Sequence, residues 1–144
     1  MQVKLKKLRA SAELPRYQTP LSAGMDLVAD LDEPIVMGTG ERCTIPTGIA
    51  IALPAGFEGQ VRGRSGLGLR HGITLAQGVG TIDADYRGEI HVLLVNNGSE
   101  PFMIEHGMRI AQLVVARHER VEWEEAEELD GTGRGERGFG STGV

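Results

Sequence analysis

Short apolar runs, each broken by glycine, proline or asparagine, constrain the fold of this chain more than any other feature of its sequence. Apolar side chains alternate with their neighbours in residues 43–45 and again in residues 49–53, where Pro54 ends the run. The same alternation over residues 90–94 ends at Asn96-Asn97-Gly98, a strong turn signal. A period of two places every second side chain on one face of a β-strand. Many short runs of this kind, separated by turn residues, predict an all-β sandwich or barrel.

Further strands are expected at the apolar runs that cover residues 3–5, 57–61, 73–75, 102–104 and 110–115. No segment keeps a helical period over three turns, and the best helical candidate is a single turn around residues 65–70. The 21 glycines are roughly twice the number expected from the usual share of about 7%. Because glycine adopts backbone conformations that other residues avoid, this number predicts many turns and close approaches to the backbone.

The composition indicates one soluble globular domain, since 144 residues with 40% hydrophobic and 24% charged side chains can bury a core. The net charge of −5 argues against binding of long DNA or RNA, which requires a basic face. No run of about 20 apolar residues is present, and no apolar stretch follows the basic first nine residues. We therefore expect a cytoplasmic protein without a membrane span. The single cysteine, Cys43, excludes an internal disulfide and is interpreted as a buried strand residue.

After Asp130 the chain becomes too rich in glycine to form a core, because glycine loses much entropy on folding and offers no side chain to pack. The expected organisation is therefore a single β domain over residues 1–130 and a flexible C-terminal arm over residues 131–144. The acidic stretch before the arm, residues 122–130, is interpreted as a solvated connection. Two interpretations of the arm remain open. It is either a disordered tail or a flap that orders over a phosphorylated aromatic ligand, for which it carries Phe139, Arg134, Arg137, Ser141 and Thr142.

The segment Gly63-Arg64-Ser65-Gly66 lies between an expected strand and the expected helical turn. N–H groups at the start of a helix bind anions, and glycine lets oxygen atoms approach the backbone. Arg64 adds positive charge, and the Ser65 hydroxyl adds a donor. The segment is either an anion site or an ordinary glycine-rich turn. It is not a P-loop, because the pattern GxxxxGK[ST] is absent from the sequence.

Two carboxylates, Asp83 and Asp85, stand beside Tyr86 in a second glycine-flanked segment, residues 80–89. A carboxylate held near an electrophile can remove a proton from water. An adjacent aromatic ring can pack on a sugar. The segment is therefore either a water-activating site or a surface turn with solvated charges.

Polar residues also interrupt two expected strands. Arg109 and Gln112 lie three positions apart, an odd offset that predicts side chains on opposite faces of a strand. One of them would then face inward or into a subunit contact, where buried Arg or Gln requires a partner. Asp26 lies between apolar neighbours in an early strand and is expected to accept a structural hydrogen bond.

Taken together, five segments resemble the motifs of the dUTPase family in wording and in chain order. These segments are AGMDL, GRSGLGLRHG, GTIDADYRGEIHV, RIAQLVV and RGERGFGSTG, and they extend from residue 23 to residue 143. The resemblance implies a jelly-roll-like distorted β-barrel that assembles as a homotrimer with three active sites between subunits. It also implies hydrolysis of dUTP to dUMP and pyrophosphate, which would lower dUTP and supply dUMP for thymidylate synthesis.

The resemblance assigns roles to individual residues. Asp83 would orient and deprotonate the water that attacks the α-phosphorus, and Tyr86 would pack beneath deoxyribose and exclude a 2′-hydroxyl. The residues that would bind the phosphates are Arg64, Ser65, Gly66 and Gln112. The residues that would line the uracil and sugar pocket are Gln77, Thr81 and Ile82. His91 stands where the family often has a side chain that contacts the substrate. The arm residues that would close over the ligand are Arg134, Phe139, Gly140, Ser141 and Thr142.

The same resemblance implies one Mg²⁺, held mainly by the triphosphate and waters, as suits a hard cation that keeps much of its hydration. Asp26 would serve near this metal site or near the trimer axis. Three positions depart from the family pattern. Gly63 replaces a usual proline, Gln77 a common asparagine and Arg137 a usual glycine.

Two alternatives would use the same fold. The related dCTP deaminases carry a glutamate on the strand after the Ile82-Asp83 turn, where this chain has Leu93, so the chain lacks the base for deamination. The second alternative is a non-catalytic nucleotide-binding module. Such a module would not need Asp83, Tyr86 and the arm together.

Overall fold

The computed structural model describes residues 1–138, which form a β structure with one short helix within that range. The elements are β1 Lys4–Lys7, β2 Met25–Val28, β3 Ile35–Met37, β4 Arg42–Pro46, β5 Ile49–Ala52, β6 Phe57–Arg62, α1 Ser65–His71, β7 Ile73–Leu75, β8 Val79–Ile82, β9 His91–Asn96, β10 Phe102–Ile104 and β11 Arg109–Arg117. The all-β prediction is confirmed, and so is the helical turn expected around residues 65–70.

The strands form four small antiparallel sheets that close around one core. The sheet orders are β2-β11-β6-β8, β4-β9-β7, β1-β5 and β10-β3. The four-stranded sheet buries one face, to which Leu27, Val61 and Leu113 contribute, while its other face carries polar side chains. The three-stranded sheet buries Ile45 and Val92 in the same core cluster. This closure of short sheets on one another is the jelly-roll-like arrangement that was expected.

The end of α1 is fixed against the turn that follows β9. Gly72 has a left-handed φ of 69°, and its N–H donates to the Gly68 carbonyl at 3.1 Å. A Cβ at Gly72 would lie 2.4 Å from the Gly98 nitrogen, so only glycine fits between helix and turn. The turn itself depends on Asn96, which is fully buried and donates to the carbonyls of Met37 at 3.0 Å and Glu100 at 2.8 Å.

Two strands, β3 and β8, have no alternating pattern that would predict them from the sequence. β3 has only three residues, all apolar. β8 contains Gly80, where a Cβ would lie 3.2 Å from the Cβ of Val61 on the neighbouring strand β6. The glycine that interrupts the apolar pattern is therefore what allows β8 to lie close to β6.

Cys43 is half-buried on β4 rather than fully buried as expected, although it packs against the core. It alternates with Ile45, which is fully buried, so the side chain lies on the correct face but at the margin of the core. Burial, with a smaller contribution from Glu41, raises the pKa of its thiol.

Beyond β11 the described chain has no helix or strand, and residues 119–138 are all exposed. The solvated connection expected for residues 122–130 is confirmed. The flexible arm remains a prediction, because Phe139, Gly140, Ser141 and Thr142 lie outside the described residues. Over residues 1–138, no helix has the length and apolar character needed to cross a membrane.

Candidate functional site

An open pocket of about 320 Å³ lies beside strand β8 and the chain that leads into β9. It is lined by Val61, Gln77, Val79, Gly80, Thr81, Ile82, Asp83, Tyr86, Glu89, Ile90, His91 and Leu93. The three residues that were expected to line a uracil and sugar pocket are in this set, together with Asp83, Tyr86 and His91. We call this cavity the hairpin pocket.

The hairpin β7–β8 forms one side of the pocket. Its tight turn contains Gly78 with a φ of 77°, and the Gly78 N–H donates to the Leu75 carbonyl at 3.2 Å. Gln77 precedes this glycine and faces the pocket. Along β8, Thr81 is exposed and Ile82 is buried, as alternation requires, so Ile82 joins the core to the pocket wall.

Asp83 stands at the end of β8, in a turn closed by a hydrogen bond from the Tyr86 N–H to the Asp83 carbonyl at 3.1 Å. Arg87 fastens the turn by donating to the Ala84 carbonyl at 2.6 Å. Asp83 lines the hairpin pocket and also a second surface cavity of about 510 Å³. Asp85 lines only the second cavity. Of the two aspartates, Asp83 is therefore the one that lines the hairpin pocket.

The opposite wall of the pocket carries Tyr86 and His91, and both side chains meet one carbonyl. The Tyr86 hydroxyl donates to the Glu89 carbonyl oxygen at 2.9 Å. The His91 Nδ1 lies 3.1 Å from the same oxygen and donates to it when Nδ1 is protonated. A Cβ at Gly88 would lie 2.4 Å from the Tyr86 hydroxyl, so glycine is required there for the ring to fold back.

Behind this wall, Arg9 binds the carboxylates of Asp30 and Glu89. We call these three side chains the Arg9 network. Its Nε donates to Asp30 at 2.6 Å, and its Nη1 and Nη2 both contact the carboxylate of Glu89, Nη1 at 3.3 Å. The Gly48 N–H also donates to Glu89, at 2.7 Å. Burial alone would raise the pKa of both acids. Hydrogen bonds from Arg9, with Ser11 for Asp30 and Gly48 for Glu89, outweigh burial and lower both pKa values.

A separate group of side chains surrounds Asp26 on β2. Its carboxylate pairs with the Nε of Arg64 at 3.3 Å and accepts a hydrogen bond from Nη1 of Arg109 at 3.1 Å. Arg64 also donates to the Arg109 carbonyl at 2.9 Å, and Gln112 donates to the Gly63 carbonyl at 3.1 Å. The prediction that Asp26 accepts a structural hydrogen bond is confirmed. We call Asp26, Arg64 and Arg109 the arginine cluster.

The prediction that Arg109 and Gln112 point to opposite faces is wrong. A β-bulge interrupts the pairing of β11 with β2, so that Arg109 faces Val28, Ala111 faces Leu27 and Gln112 faces Asp26. Because Ile110 is an extra residue in the bulge, Arg109 and Gln112 lie opposite Val28 and Asp26, which are two positions apart on β2. This even offset puts Arg109 and Gln112 on the same face. Both Ile110 and Ala111 are buried, which explains why no alternating pattern marks the bulge.

Ser65 and Gly66 begin helix α1, directly after Arg64. Arg64 has the extended backbone of a helix cap, and no side chain in the described part of the protein caps the helix. The first N–H groups of a helix have no intrahelical partner, so those of Ser65 and Gly66 remain available to an acceptor. A Cβ at Gly66 would meet no atom within 4 Å, so the described chain leaves the space beside it open.

The hairpin pocket and the arginine cluster are separate within one chain. In residues 1–138, none of the residues that line the pocket belongs to the arginine cluster or to β11. Asp26 on β2 and Thr81 on β8 lie at opposite edges of the four-stranded sheet, three strand spacings or roughly 14 Å apart. Arg134 contacts neither group, since its Nε donates to the Arg137 carbonyl at 2.9 Å in a local turn.

The sequence did not predict three residues in or behind the pocket. Glu89 lies between Tyr86 and His91 in the segment GTIDADYRGEIHV. This motif could therefore have predicted that Glu89 lies near the site. The sequence indicates for Leu93 only that it replaces the glutamate of the deaminases, whereas the structure shows that Leu93 lines the pocket. Arg9 had no local signal, because its partners Asp30 and Glu89 are distant in sequence.

Comparisons with known proteins agree with one another. The family model described as dUTPase matches residues 10–143. A protein of Rickettsia felis named deoxyuridine 5′-triphosphate nucleotidohydrolase is 60% identical over 144 residues, covering 99% of this chain and 97% of that protein. The relative of the same name from Rickettsia bellii is 58% identical, covering 99% and 96%.

Solved structures give the same result. The dUTPase of Staphylococcus bacteriophage 80alpha, a mutant solved with dUpNHpp, superposes with a TM-score of 0.90 at 27% identity, covering 99% of each chain. A mutant dUTPase of phage phi11 of S. aureus, described with a structural Mg(II) ion, shares the fold with a TM-score of 0.81 at 23% identity, covering 90% of this chain and 99% of that one.

The lowered pKa values of Asp30 and Glu89 predict a loss of stability in acid. Both acids bind protons less tightly in the folded state than in the unfolded state. Their contribution to the free energy of unfolding is therefore fully present above their unfolded pKa values of about 4, and it is lost as the pH falls through their folded pKa values. Urea unfolding between about pH 6 and pH 3 should therefore show a smaller pH slope for Asp30→Asn than for the wild type. The exposed Asp32→Asn serves as the control, and equal slopes for the wild type and Asp30→Asn would contradict the assignment.

Proposed function

Because the chain belongs to the dUTPase family, we propose that it hydrolyses dUTP to dUMP and pyrophosphate by attack of water on the α-phosphorus. The observation that carries this proposal is the hairpin pocket, whose lining combines Gln77 and Thr81 of the hairpin with Tyr86 and Asp83. In the cell, this reaction would remove dUTP and supply dUMP for thymidylate synthesis.

Uracil is proposed to bind along β8, between Gln77, Thr81 and Ile82. Within residues 1–138, β8 is an edge strand that pairs only with β6, so alternate backbone N–H and C=O groups on its other side have no strand partner there. These groups suit the donor and acceptor pattern of a pyrimidine edge. Backbone groups have fixed positions, which favours uracil over a base with different donors.

Tyr86 is proposed to pack beneath the deoxyribose. Its hydroxyl is already bonded to the Glu89 carbonyl, which holds the ring in place against the wall. A ring held in this way leaves no room for a 2′-hydroxyl and disfavours UTP. His91, bonded to the same carbonyl, would contact the substrate from the neighbouring position on the wall.

Asp83 is proposed as the general base. Its carboxylate would accept a proton from water while the water oxygen bonds to the α-phosphorus and the bond to the α–β bridging oxygen breaks, releasing pyrophosphate. The location of Asp83 at the pocket supports this role over Asp85, which faces the second cavity. A base held in place by a closed turn needs little reorganisation before proton transfer.

The phosphates are proposed to bind Arg64, Ser65, Gly66 and Gln112 of another copy of the chain in a homotrimer. The separation of these residues from the hairpin pocket within one chain supports a site shared between subunits. The arm would complete the site, with Arg134 toward the phosphates and Phe139 stacked on uracil. The arm residues that would close beside them are Gly140, Ser141 and Thr142.

Mg²⁺ is proposed as the cofactor, and the donor set of the chain suits a metal held mainly by its substrate. Within residues 1–138, no three His, Cys, Asp or Glu side chains are grouped as ligands. Asp26 is already shared by two arginines, which fits an indirect role better than direct ligation. When bound, the ion would neutralise charge on the triphosphate.

Deamination of dCTP is not favoured. Leu93 lines the pocket at the position where the deaminases carry their glutamate. The carboxylate of Glu89 also faces this region, but Arg9 and the Gly48 N–H already bind it. A non-catalytic module would bind dUTP without turnover.

Incubation with dUTP, dCTP, dTTP or UTP, each with Mg²⁺, followed by product analysis, tests the proposed reaction. We expect efficient turnover of dUTP alone, to dUMP and pyrophosphate. The release of dUDP and orthophosphate would place the attack at the wrong phosphorus. Binding without any product would instead support the non-catalytic alternative.

Asp83→Asn keeps the size of the side chain but removes its ability to accept a proton. We expect the kcat for dUTP to fall by about 10²–10⁴, with binding of a non-hydrolysable analogue largely retained. Asp85→Asn is the matched control, since it makes the same change on the other side of the turn. An equal or larger loss in Asp85→Asn would overturn the assignment of the base.

A shared site predicts complementation between inactive variants. Mixed trimers of Asp83→Asn and Arg64→Met chains, refolded together in equal amounts, should regain activity at about a quarter of their sites, because one wild-type half comes from each chain. Mixing Asp83→Asn with Tyr86→Ala should restore nothing, as both changes lie in the same pocket. Light scattering should report about 46 kDa, for three chains of 15.5 kDa each. A fully active monomer would refute the shared site.

A further inference from the structure

Glu89 connects the hairpin pocket to the Arg9 network through two different parts of the same residue. Its backbone carbonyl accepts the hydroxyl of Tyr86 and lies 3.1 Å from Nδ1 of His91. Its carboxylate is bound by Arg9 and by the Gly48 N–H, and Oε2 lies 3.8 Å from Nε2 of His91. The orientation of the carbonyl therefore depends on how the carboxylate is held.

Arg9 does not line the pocket, and it reaches Glu89 from the loop after β1. One guanidinium serves two acids, with Nε on Asp30 and the two terminal nitrogens on Glu89. The fork of five donors in Arg suits this double contact, whereas the single ammonium of Lys does not. The Asp30 side chain is 4% exposed and that of Glu89 16% exposed, so solvent offers little replacement for the guanidinium.

The corner around the two acids is also closely packed. A Cβ at Gly48 would lie 2.2 Å from Oδ2 of Asp30, and Gly48 has a left-handed φ of 69°. The residue after Glu89 is held independently of Arg9, since Ile90 bonds to the Ile49 carbonyl at 2.9 Å and its own carbonyl accepts the Thr47 hydroxyl at 2.6 Å. Loss of Arg9 would thus loosen the segment from Tyr86 to Glu89 while leaving the start of β9 in place.

We propose that Arg9 is a positioning residue for the hairpin pocket: through Glu89 it sets the place of Tyr86 and His91, and thereby the preference for deoxyribose over ribose. This inference rests on the proposed hydrolysis of dUTP. Tyr86 discriminates against a 2′-hydroxyl only if its ring cannot move away. The contact of Arg9 with the Glu89 carboxylate restrains the carbonyl to which the ring is bonded.

The test compares kcat and KM for dUTP and UTP in Arg9→Met, Arg9→Lys and Glu89→Gln. In Arg9→Met and Glu89→Gln we expect kcat/KM for dUTP to fall about 10-fold or more, since small misplacements at a site have large effects on rate. The dUTP-to-UTP ratio, which is kcat/KM for dUTP divided by kcat/KM for UTP, should decrease by about 10-fold in both variants. Arg9→Lys should recover part of the ratio. The double variant Arg9→Met/Glu89→Gln should be no worse than the poorer single variant, because both changes break one unit.

Asp30→Asn is the matched control, since it removes the other acid of the network without touching Glu89. It should lower the melting temperature and leave the dUTP-to-UTP ratio unchanged. If Arg9→Met has a lower melting temperature but the same dUTP-to-UTP ratio as the wild type, the inference is overturned while the proposed function stands. If Arg9→Met does not fold, the ratio measured for Arg9→Lys and Glu89→Gln decides in the same way. A wild-type protein inactive on dUTP would overturn the proposed function itself.

Discussion

The pairing of β11 with β2 on one side and β6 on the other determines where both halves of the candidate site lie. β6 runs directly into the start of α1 and so places Arg64, while β2 supplies Asp26. The bulge at Ile110 then aligns Arg109 and Gln112 with that acid. Without the extra residue, a regular strand would direct one of these two side chains into the core, where no partner awaits it.

The same sheet keeps the two halves apart. β8, with the hairpin pocket, pairs with β6 at one edge, and β2 lies at the other edge. In this sheet β11 and β6 lie between the two edges, but a second copy can place its opposite edge beside β8. Repeated by rotation, such a head-to-tail contact closes into a ring. The proposed trimer is thus the arrangement in which each chain contributes one half to its own site and the other half to a neighbour.

Parts of the fold that depend on local chemistry could be predicted from the sequence. The helical turn at Ser65 and the turn at Asn96 follow from glycine and asparagine in a short apolar pattern. The motifs selected Asp83 and Tyr86, and both line one pocket. The bulge at Ile110 could not be predicted, because two successive apolar residues fit a buried strand equally well.

Contacts between distant segments escaped prediction for a different reason. Arg9 in the N-terminal loop has neighbours in sequence that favour exposure, and its pairing with Glu89 exists only after β1 has joined β5 and brought the loop to Gly48. A sequence pattern records the face of a strand on which a side chain lies. It does not record which of many charges on other segments that side chain will meet.

Charge gives a reason why the proposed site would use more than the described part of one chain. The protein carries a net charge of −5, so a triphosphate approaches against the overall field unless cations are grouped locally. In the arginine cluster, Asp26 neutralises one of the two guanidinium charges of Arg64 and Arg109, which leaves too little positive charge for a triphosphate. The proposed Mg²⁺ and the arginines of the arm would supply the remainder. If the arm closes only over bound phosphates, as proposed, closure and substrate binding would stabilise each other, and the hairpin pocket would select the base and the sugar.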